Sequence, residues 1–161
     1  MKPPEDFDSI DELIREGKEG VCSYLIARGA LGQPEYEPSA YFERALDLLH
    51  DAPDSEKEYR VRDQWGWYLG SIGNFKAAID QFQQAVTLKP GQFHTQFNLA
   101  QMRHLLAEHS SEEEKPNLYS LASQEYATLA GQVSYFSLRR YSLRLKAIQD
   151  SFRACQKRAG S

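Results

Sequence analysis

Four histidines and two cysteines are the side chains in this 161-residue sequence best suited to metal binding or nucleophilic attack. A helical metal site needs ligands stacked one turn apart, and His50, His94, His104 and His109 include no pair at the i, i+4 spacing that provides this. Cys22 and Cys155 stand far apart with no CxxC pair, so neither a structural zinc site nor a disulfide framework is expected. Both lie within helical apolar stripes, where a cysteine serves as a small hydrophobe rather than a nucleophile. No glycine-rich phosphate loop and no nucleophile elbow occurs. His94 and His104 could face a common groove, with exposed polar lining the simpler account of both. The residue types therefore predict no enzyme, no cofactor and no metal, and point to a binding role.

Composition sets the frame in which such a role would be carried. At 41% hydrophobic and 26% charged, the chain suits one ordinary domain. A chain of this length buries roughly 70% of its unfolded surface, enough for a core without staples. Two unpaired cysteines suit a reduced, cytoplasmic setting. No apolar run approaches the roughly 18 residues of a membrane span, and MKPPEDFDS is acidic where a secretory leader would be basic and then apolar. Membrane insertion and export are not expected.

The elements follow from apolar periodicity and its punctuation. Residues 1–8, with two prolines and three acids, read as a flexible acidic arm. Ser9 and Glu12 have capping-box spacing, and apolar residues at helical intervals continue to Gly29 as one bent helix or two short ones. Ala40, Tyr41, Phe42, Ala45, Leu48 and Leu49 predict a helix ending before Pro53. Asp54 or Ser55 can cap the next, which runs through Tyr59, Val61, Trp65, Tyr68, Leu69 and Ile72 to Gly73. Gly73 and Asn74 make a tight turn, Ala77 to Leu88 is a further helix, and Lys89, Pro90 and Gly91 stop it. Phe93 to about Glu108 is another. Ser110 to Lys115 is a polar acidic loop, and Pro116 suits the first turn of a helix ended by Gly131. A last helix follows from Ser134. No segment alternates as a strand would, so the fold class is all-α.

Within this order one segment has a distinctive spacing. Trp65, Gly66, Leu69, Gly73, Ala78, Phe82, Ala85 and Pro90 place small residues where two helices approach, a large ring beside them, and a turn and a stop at the ends. The spacing resembles the tetratricopeptide repeat, with its LG pair, A-x3-F and closing proline. Arg62 and Trp65 depart from that pattern, standing at the family's usual tryptophan and leucine positions. A weaker copy precedes it, where Gly29 to Gln33 echo Gly70 to Asn74, and Phe42, Ala45 and Leu48 echo Phe82, Ala85 and Leu88. A third follows, with Leu99 and Ala100 at the LG pair and Ala122 and Tyr126 at A-x3-F, interrupted by the acidic insertion Glu112 to Glu114.

The resemblance implies a right-handed superhelical stack of about three antiparallel helix pairs over residues 9–131, closed by a capping helix in 132–161. It also implies a concave groove lined by the first helix of each pair. The matching positions are Arg60, Asp63, Trp67, Gly70 and Ser71, then His94, Phe97, Asn98, Gln101, His104 and Leu105. Trp67, Phe97 and Leu105 would supply aromatic and aliphatic anchors for a peptide, with Trp65 rather than Trp67 expected in the core. The lysine, arginine and asparagine set by which chaperone adaptors of this family grip a terminal carboxylate is mostly absent. Asp63 would repel such a ligand, so chaperone tail binding is not expected.

Charge divides the sequence. From Gln132 onward the net charge is +6, against −10 for the residues before it. The last helix also carries Leu138, Tyr141, Leu145, Ile148, Phe152 and Cys155 as a continuous apolar stripe. It is expected to cap the stack, with Arg139, Arg140 and Arg144 as a possible second interface or a route to self-association. The acidic whole argues against nucleic acid as a partner. The function implied is a non-enzymatic protein–protein interaction adaptor or scaffold; the alternative is an assembly or secretion chaperone holding a client in solution.

Overall fold

The computed structural model describes residues 38–132 and 138–160, in six helices. These are α1 (Pro38–Asp51), α2 (Ser55–Ser71), α3 (Phe75–Leu88), α4 (Phe93–His109), α5 (Lys115–Gln132) and α6 (Leu138–Ala159). No strand occurs among the described residues. The acidic arm, the helix expected over Ser9 to Gly29 and Cys22 lie outside them. The chain divides into two compact units, the first ending at Pro90 and the second beginning at Gly91.

In the first unit, α2 packs against both α1 and α3. Asp54 caps α2 by accepting from the Glu56 and Lys57 amides, each at 3.1 Å. Where α2 ends, Gly73 takes φ 80°, a conformation open to glycine at little cost. The Gly73 amide then bonds the Gly70 carbonyl at 3.1 Å, and the Asn74 amide the Leu69 carbonyl at 2.9 Å, closing a Schellman turn. The Asn74 side chain accepts from the Ala77 amide and so starts α3 two residues earlier than the apolar pattern suggests.

The small residues of the repeat lie where the helices touch. A Cβ at Gly66 would stand 3.0 Å from the ring of Phe82, which is fully buried with Ala78 and Ala85. Arg62, at the departure from the repeat pattern, bonds Glu58 at 2.7 Å and reaches across to Gln81 on α3 at 3.0 Å. On the other side of α2, Trp65 stacks on Phe42 of α1 with centroids 5.8 Å apart, and its indole N–H donates to Ser39.

The second unit joins α4 to α5 and α5 to α6. Its core holds Ala100, Ala107, Tyr119, Ala122, Tyr126, Leu129 and Cys155. Burying a side chain such as Leu129 contributes about 2 kcal/mol, which accounts for the apolar stripe along α6 turning Phe152, Cys155 and Ala159 toward this cluster. No helix among the described residues is long and apolar enough to cross a membrane.

Candidate functional site

On α2, Arg60, Asp63, Trp67 and Ser71 fall at spacings of three and four and so share one face of the helix. Trp67 keeps 51% of its surface exposed. Its neighbour in sequence, Trp65, spends its ring on Phe42, so the two indoles divide between packing and solvent. Arg60 is exposed and paired with Glu56 at 3.3 Å. Glu56 also receives Lys89 at 2.7 Å, and this hydrogen bond holds its carboxyl below the usual range. Asp63 is half-buried, and the exposed Ser71 donates its hydroxyl to the Tyr68 carbonyl at 2.6 Å.

The α4 positions divide between solvent and core. His94 and Gln101 are exposed, while Asn98 is buried with its Nδ2 3.2 Å from His94 Nε2. Leu105 is half-buried. Phe97 stacks on Phe93 at 6.5 Å and meets Tyr126 edge-on at 6.3 Å. His104 lies edge-on to Tyr119 and Tyr126, at 5.8 and 6.1 Å. Burial lowers the His104 pKa, with Glu108 opposing that shift and Arg158 reinforcing it.

His104 forms part of a constellation that periodicity alone does not indicate. An open cleft of about 520 Å³ is lined by Glu108, Glu112, Lys115, Pro116, Tyr119 and Arg158. The end of α4 supplies Glu108, the start of α5 supplies Lys115, Pro116 and Tyr119, and the last turn of α6 supplies Arg158. The Arg158 guanidinium donates to Glu108 Oε1 at 3.2 Å and to the Tyr119 hydroxyl at 2.9 Å. Its central carbon lies 5.2 Å from the Tyr119 ring centroid, in cation–π range. Glu108 Oε1 is also 3.7 Å from His104 Nε2, and Lys115 pairs with Glu112 on the rim. Fifty residues separate Glu108 from Arg158, so only the packing of α6 brings them together.

Nearby, Arg103 on α4 pairs with Glu125 on α5. Burial pushes the Glu125 carboxyl up to about 7, the guanidinium pulling the other way. Glu125 Oε2 is buried without a hydrogen-bond partner, which favours a proton on this group. Cys155 is fully buried, and its thiol is pushed up to about 11 by that burial. Among the described residues no three His, Cys, Asp or Glu side chains gather as a metal site requires. Arg139, Arg140 and Arg144 belong to the first turns of α6, but their side chains lie outside the described residues. Farther along, Lys146, Arg153 and Lys157 are exposed, with Arg153 3.9 Å from Asp150.

No family model, curated protein or solved structure matches the chain.

Proposed function

We propose that this chain is a non-enzymatic protein–protein interaction module of tetratricopeptide-repeat type that holds a peptide segment of a partner. The observation that carries the reading is Trp67, a half-exposed indole on a helix whose neighbouring rings Trp65 and Tyr68 pack against Phe42. Exposed aromatic anchors of this kind supply most of the binding energy at protein interfaces. On α2 the recognition row is Arg60, Asp63, Trp67 and Ser71, a mixture of one apolar anchor with polar groups that fix the direction of a bound backbone. Support for the repeat type comes from the close approach of Gly66 and Phe82, the burial of Ala78 and Ala85, and the burial of Ala122 and Tyr126 at the equivalent spacing. On α4, in the other unit, His94 and Gln101 are exposed, while Phe97 and His104 pack within that unit.

The test is affinity purification from the native source, comparing the intact chain with Trp67→Ala. Because about half of the Trp67 surface is covered, the substitution should cost about 1–2 kcal/mol while sharply reducing recovery of the partner by the protein that remains folded. Undiminished recovery by a folded Trp67→Ala protein would remove the α2 face as the binding surface.

A further inference from the structure

We propose that the cleft lined by Glu108, Glu112, Lys115, Pro116 and Tyr119, in which two carboxylates outnumber one ammonium once Arg158 is set aside, is a recognition site for an arginine side chain of a partner protein, and that Arg158 occupies it as an internal ligand. Glu108 offers an ion pair at 3.2 Å, the Tyr119 hydroxyl a hydrogen bond at 2.9 Å, and the Tyr119 ring a cation–π contact. A guanidinium can use all three at once because its donors are arranged in a rigid fork. Pro116 lines the same cleft and gives an apolar wall against which an aliphatic stem can lie.

The cleft has room for more than its present occupant. Arg158 remains half-exposed, its departure would uncover the Tyr119 ring and hydroxyl for another guanidinium, and about 520 Å³ of space lies around it. Glu112 stands on the rim with 89% of its side chain exposed, a second carboxylate in the path of an approaching cation. Its contact with Lys115 is a surface pair of the kind that exchanges at little cost. An anionic ligand would fit poorly, since both cations of the cleft already face carboxylates and the ligand would meet Glu108 and Glu112 directly. This site shares no residue with the α2 face, so it stands or falls independently of Trp67.

An internal ligand lowers apparent affinity by the fraction of time that it fills the site, and removing it restores that affinity. The experiment is an NMR titration of the full ¹⁵N-labelled chain with acetyl-arginine methylamide, using the neutral acetyl-citrulline methylamide as control. Arg158→Ala should bind the arginine probe about fivefold more tightly than the unaltered protein, with shifts centred on Glu108 and Tyr119. The citrulline probe should produce no such gain, and adding Glu108→Gln should abolish it. Arg158→Gln, which keeps two of the three stem methylenes and removes the charge, serves as a second test should Arg158→Ala lose its native spectrum. Equal affinity for the arginine probe with and without Arg158, or equal binding of both probes, would overturn the proposal and leave Arg158 as a tie between α6 and α4.

Discussion

The contact between Gly66 and Phe82 shows how little room one residue can leave. Glycine is a poor helix former, yet any β carbon here would press on a ring with no exposed edge to retreat to. Gly66→Val should destabilise the protein by about 2 kcal/mol despite its higher helix propensity, read as a shift in the urea midpoint. Cys155 offers a second test in the other unit. With its thiol buried and pushed up to about 11, a Cys22→Ser protein should leave Ellman's reagent unreacted near neutral pH until it is unfolded.

Glu125 gives a prediction with a definite sign. Its carboxyl is raised in the folded state, so folding favours the protonated form, and the group's contribution is lost as pH rises from about 4.5 through about 7. The stability of the unaltered protein relative to Glu125→Gln should therefore fall across that window. A rise would mean that attraction to Arg103 outweighs burial. His104 works the opposite way, its lowered pKa costing stability as pH falls below the ordinary histidine value, which is why the Glu125→Gln protein is the proper reference.

At the scale of elements, the ends of α2 are set by local chemistry. Asp54 satisfies two of the amides that a helix start leaves unbonded, so Asp54→Ala should cost about 1 kcal/mol and Asp54→Asn much less, measured by thermal unfolding. Such signals were legible in the sequence because each depends on residues a few positions apart. Asp54 or Ser55 as cap, Gly73 and Asn74 as turn, Pro116 in the opening turn and Lys89 as the stop after Leu88 all agree with the observed helices. The choice of Asp54 over Ser55 needed coordinates, as did the start of α3 at Phe75, where a side-chain cap rather than an apolar period sets the boundary. The small-residue approach of α2 to α3 was legible in the spacing of Gly66, Ala78 and Phe82. The cleft was not, because Glu108, Tyr119 and Arg158 come from three helices and each taken alone is an ordinary surface or core residue. Phe97 and His104 show the same limit, since α4 gives no amphipathic signal that separates its packed rings from its exposed polar groups.

At the scale of the whole molecule, two units with their own clusters of buried side chains imply that damage stays local. Hydrogen exchange by mass spectrometry on the Gly66→Val protein should show lost protection concentrated in residues 55–88, with the amides of α4 and α5 changed far less. Uniform loss of protection would show the chain to be a single cooperative body. The acidic and basic parts of the sequence add a second global property. The +6 region from Gln132 onward includes α6, whose apolar stripe contributes Phe152, Cys155 and Ala159 to the second unit, leaving Lys146, Arg153 and Lys157 at the surface.

Both tryptophans of the chain, Trp65 and Trp67, belong to the first unit. Indole emission is therefore a private signal of residues before Gly91, and the second unit contributes only tyrosine light. The two emitters also differ, one shielded in a stack with Phe42 and the other facing water, so a collisional quencher such as iodide should extinguish one population and spare the other. A ligand that covers Trp67 would shield the quenchable fraction from iodide, giving an optical titration of the α2 face that needs no label.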